Sequence, residues 1–304
     1  MMRLIKLSVI ALSLPLFFAC GSGSVGYDGD THSRGKATIY FEESYKPLFE
    51  TSIYTFESLY PSADIQPVYK TEGEIIKAFF DKKVKTICIT RDFTPKEKAQ
   101  LKKIALEFRS NIIAYDAVAL IIHPENTDST ISVERLKRVL TGQDTLWANG
   151  KPINVVFDNA NSANFNYMRN LINKAPLGKN VYAVNSNEEV IKHVKDNPSS
   201  IGIIGVNWIS DQDDKTVLDF LKGIRVMSVS AEAGGEAFQP YQAYIYTKEY
   251  PLTREVWMIN YGSRAGLHSG FVNFMQMEKG QLIIHKSALV TASSPIRMIE
   301  MTTE

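Results

Sequence analysis

An α/β fold built on largely parallel sheets is what this sequence predicts, and two patterns carry the prediction. Short apolar, β-branched runs alternate with segments whose apolar residues recur at three- and four-residue spacing, over nearly the whole length. Helix-start chemistry recurs between them: Ser or Thr, then Glu three residues on, at Thr71 and Glu74, Thr94 and Glu97, and Ser186 and Glu189. Strands alternating with capped helices argue for sheets layered with helices. No repeat of fixed period is present.

The first strand is "ATIYF", followed by a helix from about Tyr45 to Tyr60. Ser44 is placed to cap it, Pro47 is tolerated in its first turn, and Phe49, Ile53, Phe56 and Tyr60 form its apolar stripe. "DIQPVYK" is the second strand and "TEGEIIKAFF" the second helix. "KTICITR" is the third strand, in which Cys88 reads as a small packed hydrophobe. In "TPKEKAQLKKIA", Thr94 caps and Pro95 takes the first helical position. "NIIAYDAVALIIHP" is long enough to pass as one strand from one domain into another. The helix "SVERLKRVL", stopped by Gly142, the strand "INVVFD", the helices "NFNYMRNLI" and "NSNEEVIKHV" and the buried strand "SIGIIGV" follow. Residues 241–261, "YQAYIYTKEYPLTREVWMINY", read as strand-rich, and 269–285 as helix.

The ends read differently. Residues 1–19 carry Arg3 and Lys6 ahead of a short apolar run, the pattern of a secretory signal. That run is short of the roughly 20 apolar residues a membrane span needs. Ala19-Cys20 at its end resembles a bacterial lipobox, which implies cleavage before Cys20 and its lipidation. Residues 20–35 are rich in Gly and Ser and read as a lipidated tether, with the fold beginning near Lys36. Roughly 270 residues remain, enough for two small domains or one large one.

Charge and residue patterns exclude several functions. The chain has 34 basic and 33 acidic residues, and loss of Arg3 and Lys6 with the leader leaves 32 against 33. So even a balance gives no pull toward nucleic acid. With Cys20 lipidated, Cys88 has no partner for a disulfide. The histidines at 32, 123, 193, 268 and 285 lack zinc-ligand spacing, and no G-x-S-x-G elbow or P-loop occurs. No catalytic residue, metal or cofactor is expected.

The stretches "ESYKPL", "TEGEIIKAFFDKKVKTICITRDFTPKEKAQL", "AYDAVALIIHPEN", "LKRVLTGQDTLW", "SIGIIGV", "YPLTREVW" and "F..FM...KGQ.II" stand in one order over residues 36–285. That order resembles the phosphate-type solute-binding proteins of ABC transporters, a branch of the type II periplasmic binding proteins. The resemblance implies an α/β, two-lobed fold with two crossover strands. Lobe one would take 36–114 plus 242–304 and lobe two 115–241, with hinges at Tyr115-Asp116 and around Tyr241–Tyr244.

Members of that family hold a desolvated oxyanion with backbone N–H groups at helix N-termini and with Ser/Thr hydroxyls. Carried over residue by residue, the ligand-binding set is Ser44 and Tyr45; Thr71, Glu72 and Gly73; Thr90 and Arg91; and Ser162, Ala163 and Asn164. The last group departs from the pattern, because Asp158 stands where the family has Arg. Glu42, Glu43 and Glu72 add further acids at the expected mouth. Either these acids turn to solvent or pair with lysines, or they face the cleft and oppose phosphate. Arg91 reads equally as a ligand contact and as a salt bridge within its lobe.

The function implied is a lipid-anchored, extracytoplasmic solute-binding protein of the bacterial cell envelope. It would close over phosphate or a related small oxyanion and deliver it to a membrane permease. The rival expectation is an envelope scaffold or sensor of the same fold, contacting other envelope proteins, with a degenerate or altered site.

Overall fold

The computed structural model describes residues 29–210, 215–262 and 264–293. The leader, Cys20 and the first part of the tether lie outside the described residues. Strand β1 (Arg34–Glu42) runs through a 3-10 turn (Glu43–Tyr45) into helix α1 (Lys46–Leu59), and β2 (Ser62–Lys70) returns beside it. Then come α2 (Glu72–Phe80), β3 (Thr86–Ile89), α3 (Pro95–Lys103) and the 15-residue β4 (Phe108–Ile122). Beyond β4 lie β5 (Thr130–Ser132), α4 (Val133–Leu140), β6 (Asn154–Phe157), α5 (Ala163–Leu171), β7 (Val181–Ala183), α6 (Asn187–Asp196) and β8 (Ser200–Gly205). The chain continues with α7 (Lys215–Leu221), β9 (Arg225–Val226), β10 (Ser228–Ser230), β11 (Ala237–Phe238) and α8 (Gln242–Tyr246). It closes with β12 (Thr253–Tyr261), α9 (Leu267–Gln276), α10 (Glu278–Lys286) and β13 (Val290–Thr291).

Two half-sheets share β4, which gives the expected two lobes. Its first part pairs antiparallel with β12 and β13, and its last five residues pair antiparallel with β8. On the first side, β1 lies parallel to both β2 and β3. On the second, β6 lies parallel to both β7 and β8. A separate three-stranded sheet joins β11, β10 and β5. Ala117 to Ile122 of β4 are fully buried, so the shared strand is also the centre of the main core. A second core, in lobe one, packs Ile75, Phe79, Phe93 and Leu101 under Ile87 and Ile259.

Local chemistry explains most helix starts. Thr94 and Glu97 exchange bonds at the start of α3, with the Thr94 N–H on Glu97 at 2.7 Å. Ser162 accepts the Phe165 N–H at 3.0 Å and Ser186 accepts that of Glu189 at 3.2 Å. Phe49, Ile53 and Phe56 are buried along α1, as their spacing predicts.

Two expectations are corrected. Residues 242–246 are helical rather than strand: Ile245 is buried, Gln242 Nε2 donates to the Leu289 carbonyl, and Lys248 at φ 64° ends the turn. Aromatic β-propensity is overridden there by packing against the end of α10. The folded part also starts before Lys36. Asp30 Oδ1 accepts the Leu267 N–H at 2.7 Å, and β1 begins at Arg34. Gly270 permits this close approach, since a Cβ there would lie 2.0 Å from the His32 carbonyl oxygen.

Candidate functional site

β1 ends by delivering Glu42 to the junction of the lobes, where its side chain is fully buried. Its Oε2 accepts the Ser44 N–H at 2.8 Å, capping the turn that becomes α1. Its Oε1 accepts the Ala163 N–H at 3.3 Å, at the first residue of α5 in the other lobe. One carboxylate therefore caps two helix starts that come from opposite lobes. Amide donors and the positive ends of two helix dipoles converge on it, which is the chemistry of an anion site.

Asp158, just beyond β6, gathers the donors of lobe two. Ser162 Oγ donates to it at 2.6 Å, Asn164 Nδ2 at 3.0 Å and Asn187 Nδ2 at 3.2 Å. Asn164 Nδ2 also lies 3.3 Å from Ser44 Oγ, and Asn207 Nδ2 donates to the Ser44 carbonyl at 3.2 Å. These contacts join the two lobes at Ser44. Arg254 of β12 completes the group: it pairs with Asp116 and donates to Asn164 Oδ1 at 2.8 Å, while its guanidinium lies 5.9 Å from the centre of the Tyr45 ring. Gly205 makes room for this meeting, because a Cβ there would stand 3.1 Å from Ser44 Cβ and 3.3 Å from Arg254 Nη2.

The electrostatics are strained toward neutral acids. Burial, and then the negative charge of Asp158, push the Glu42 carboxyl up to about 8, against the pull of Arg254. Burial likewise raises Asp158 despite its hydrogen bonds, and raises Asp116 despite Arg254. Half-buried Glu43 is raised by burial, then by Asp158 and Glu188. Burial, the largest single influence, works to lower Arg254, but Asp116, Tyr45 and Glu42 together outweigh it and hold the guanidinium charged. Burial, then Glu42, Asp116 and Glu72, raise the Cys88 thiol well above its usual value. That keeps Cys88 an inert packed side chain.

The remaining expected ligand groups form a second cluster within lobe one. Glu72 is buried and accepts the Thr90 hydroxyl at 2.6 Å, the Thr90 N–H at 3.2 Å and Arg91 Nε at 3.1 Å. Arg91 also grips Glu97 through both terminal nitrogens, at 2.8 and 3.0 Å. Thr71 donates its hydroxyl to Glu74 at 2.8 Å, and Gly73 faces open space on α2.

The structure thus brings Ser44, Tyr45, Ser162, Ala163 and Asn164 together at the lobe junction. It sets Glu72, Thr90 and Arg91 apart as an internal network, with Thr71 and Gly73 at a helix start. Of the four anomalous acids, Glu42 and Asp158 are buried at the junction. Glu72 is buried against Arg91, and Glu43 is half-buried. Sequence reasoning missed Asp116, Asn187, Asn207 and Arg254 as members of the cluster. It places Asp116 at a hinge and Arg254 within the stretch "YPLTREVW", but neither as a member of the site.

Comparison with known proteins bears on the fold. The profile of the PBP superfamily domain matches residues 28–279. The phosphate-binding protein PstS of Borreliella burgdorferi is 23% identical over 259 residues, covering 80% of this chain and 85% of its own. A Clostridium perfringens structure, described as a phosphate ABC transporter substrate-binding protein with bound phosphate, superposes at TM-score 0.72. It is 20% identical and covers 85% of this chain and 100% of its own. An ABC-type phosphate transport receptor from Vibrio cholerae superposes at 0.65 with 17% identity, covering 84% and 100%.

Proposed function

Because the chain belongs to the PBP superfamily, we propose that it is an extracytoplasmic solute-binding protein that closes two lobes over a small oxyanion. One observation carries this reading: the N–H groups of Ser44 and Ala163, on opposite lobes, meet on the two oxygens of a single carboxyl group. Hinge closure brings such donors together, and a solute with suitably spaced oxygens would be held by both lobes at once. The phosphate-binding relatives named above favour phosphate or a related oxyanion as that solute. In this reading an ABC permease receives it. The lipid on Cys20 supplies the anchor; among the described residues no helix is long and apolar enough to cross a membrane.

Calorimetry and thermal melting of the purified protein test it, with phosphate and a panel of oxyanions titrated into the millimolar range. Heat and stabilisation from at least one oxyanion are expected. Silence across the panel in both measurements rejects the solute-binding reading. A second reading, an envelope sensor or scaffold of the same fold, is favoured by the capture of Ser162, Asn164, Thr90 and Arg91 by the chain's own carboxylates. Stable co-purification with envelope proteins, without any oxyanion affinity, would support it.

A further inference from the structure

We infer that Glu42 is a tethered occupant of the chain's own oxyanion position: the lobes close on this carboxylate without solute, and an external oxyanion enters only by exchanging with it. The inference rests on the reading of the Ser44–Ala163 junction as the solute site.

Three observations carry it. The first is position. Glu42 is held at 2.8 Å by the N–H of Ser44 and at 3.3 Å by that of Ala163, so its two oxygens span the lobes as a bound anion would. The second is saturation. Side-chain donors that line the same junction are already matched inside the chain, with Ser162, Asn164 and Asn187 on Asp158 and Arg254 on Asp116 and Asn164. Among these side chains an incoming anion finds no free donor until a carboxylate leaves; at the junction only the Tyr45 hydroxyl, among the described residues, is buried without a hydrogen-bond partner. The third is space and charge. Glu42, Ser44, Asn164 and Asn187 are fully buried, and Gly205 packs against Ser44 with no room for a methyl group at ordinary contact distance. A free anion added beside Glu42 and Asp158 would stand against two buried acids around one already paired arginine. Exchange avoids that crowding, because the Glu42 carboxyl leaves the interior and ionises in water as the solute arrives.

Glu42 therefore sets how strongly solute binds. Affinity is the difference between the external anion and the internal one, and loss of the internal one removes the competitor. Removing it also removes the bridge that holds the lobes together without solute.

Hydrogen exchange on the full chain, prepared free of phosphate, reads both effects through peptides covering residues 42–46 and 160–166. In the native protein both peptides are protected without solute. In Glu42→Ala both exchange at least about tenfold faster. Inorganic phosphate then restores protection to Glu42→Ala at a concentration at least about tenfold below any effect on the native protein. Glu42→Gln guards against a folding defect: its single carbonyl can serve only one of the two N–H groups, so one peptide loses protection while the melting transition stays cooperative. Unchanged exchange in both variants overturns the inference, as does equal phosphate affinity in native and Glu42→Ala protein; the solute-binding reading survives either result. Faster exchange that no oxyanion reverses upholds the occupancy by Glu42 and rejects oxyanion binding at this junction.

Discussion

Arg254 and Asp116 stand opposite each other in the register of β12 and β4, and their side chains form two hydrogen bonds of 3.1 and 2.7 Å. Both are nearly or fully buried, and the third guanidinium nitrogen reaches Asn164 in the other lobe. The pair thus ties the shared strand to the start of α5. Removing one partner leaves the other charged and unpaired in the interior. Asp116→Asn and Arg254→Met should each lower stability by about 3–5 kcal/mol, and the double variant by less than the sum. Urea denaturation of the four proteins measures this; strictly additive losses would show that the two side chains act independently.

As pH rises from about 4.5 to about 8, Glu42 should contribute a loss of stability, opposed in part by His193 and His268, whose rings burial holds below their usual range. In the unfolded chain this carboxyl titrates near 4.5, and in the folded chain near 8. Between these values the folded state keeps a proton that the unfolded state has released, so stability is greatest below the range and is lost through it. Asp158 and Ser44 face the group from its two lobes and Arg254 from β12. Asp158 acts to raise it, while Arg254 and the Ser44 hydrogen bonds act to lower it. Asp158 and Asp116 are also raised by burial and contribute with the same sign. Glu42→Gln should therefore flatten the profile without abolishing it, by a few kcal/mol in order of magnitude. Parallel melting-temperature profiles from pH 4 to 9 for the two proteins would refute the assignment.

The contrast between what sequence showed and what it hid follows from range. Caps at Thr94 and Ser186 depend on residues three positions apart, and both are where the pattern put them. The alternation of strands and helices, and the long β4, were equally local. Glu42 was conspicuous as an acid two residues before Ser44. Its second donor, however, is 121 residues away, at the start of α5 in the other lobe. Arg254 finds Asp116 through antiparallel register, and Asn207 finds Ser44 through the turn after β8, which no spacing rule discloses. The helix at 242–246 was hidden for a related reason: Tyr and Ile suit strands, and only the contact with the end of α10 selects helix.

Glycines at two positions should respond oppositely to alanine. A methyl group at Gly205 would meet Ser44 Cβ at 3.1 Å and Arg254 Nη2 at 3.3 Å, so Gly205→Ala should cost about 1–3 kcal/mol and loosen the lobe junction. Gly73 lies in α2 with nothing within 4 Å of an added Cβ, so Gly73→Ala should be neutral or stabilising by up to about 1 kcal/mol. Chemical denaturation compares the two, and faster proteolysis within residues 200–210 should accompany only Gly205→Ala. A large loss of stability in Gly73→Ala would contradict its open surroundings.

Arg91 separates a structural role from a ligand role. Nε binds Glu72 at 3.1 Å, and the two terminal nitrogens bind Glu97 at 2.8 and 3.0 Å. Glu72 depends on it, because that carboxylate is buried and its other donors both come from Thr90. Lysine cannot reproduce the fork, since its single ammonium cannot reach both acids in the same geometry. Arg91→Lys should then destabilise the protein by about 1–2 kcal/mol, less than a fully buried pair because Arg91 itself is one-third exposed. Phosphate binding, measured in the Glu42→Ala background, should stay within about twofold. Were Arg91 instead the residue that supplies positive charge to the solute, the same change would weaken phosphate binding by about tenfold or more, with little effect on the melting transition. Denaturation and titration on one pair of variants distinguish these outcomes. The bidentate hold on Glu97, together with the dependence of Glu72, favours the structural one.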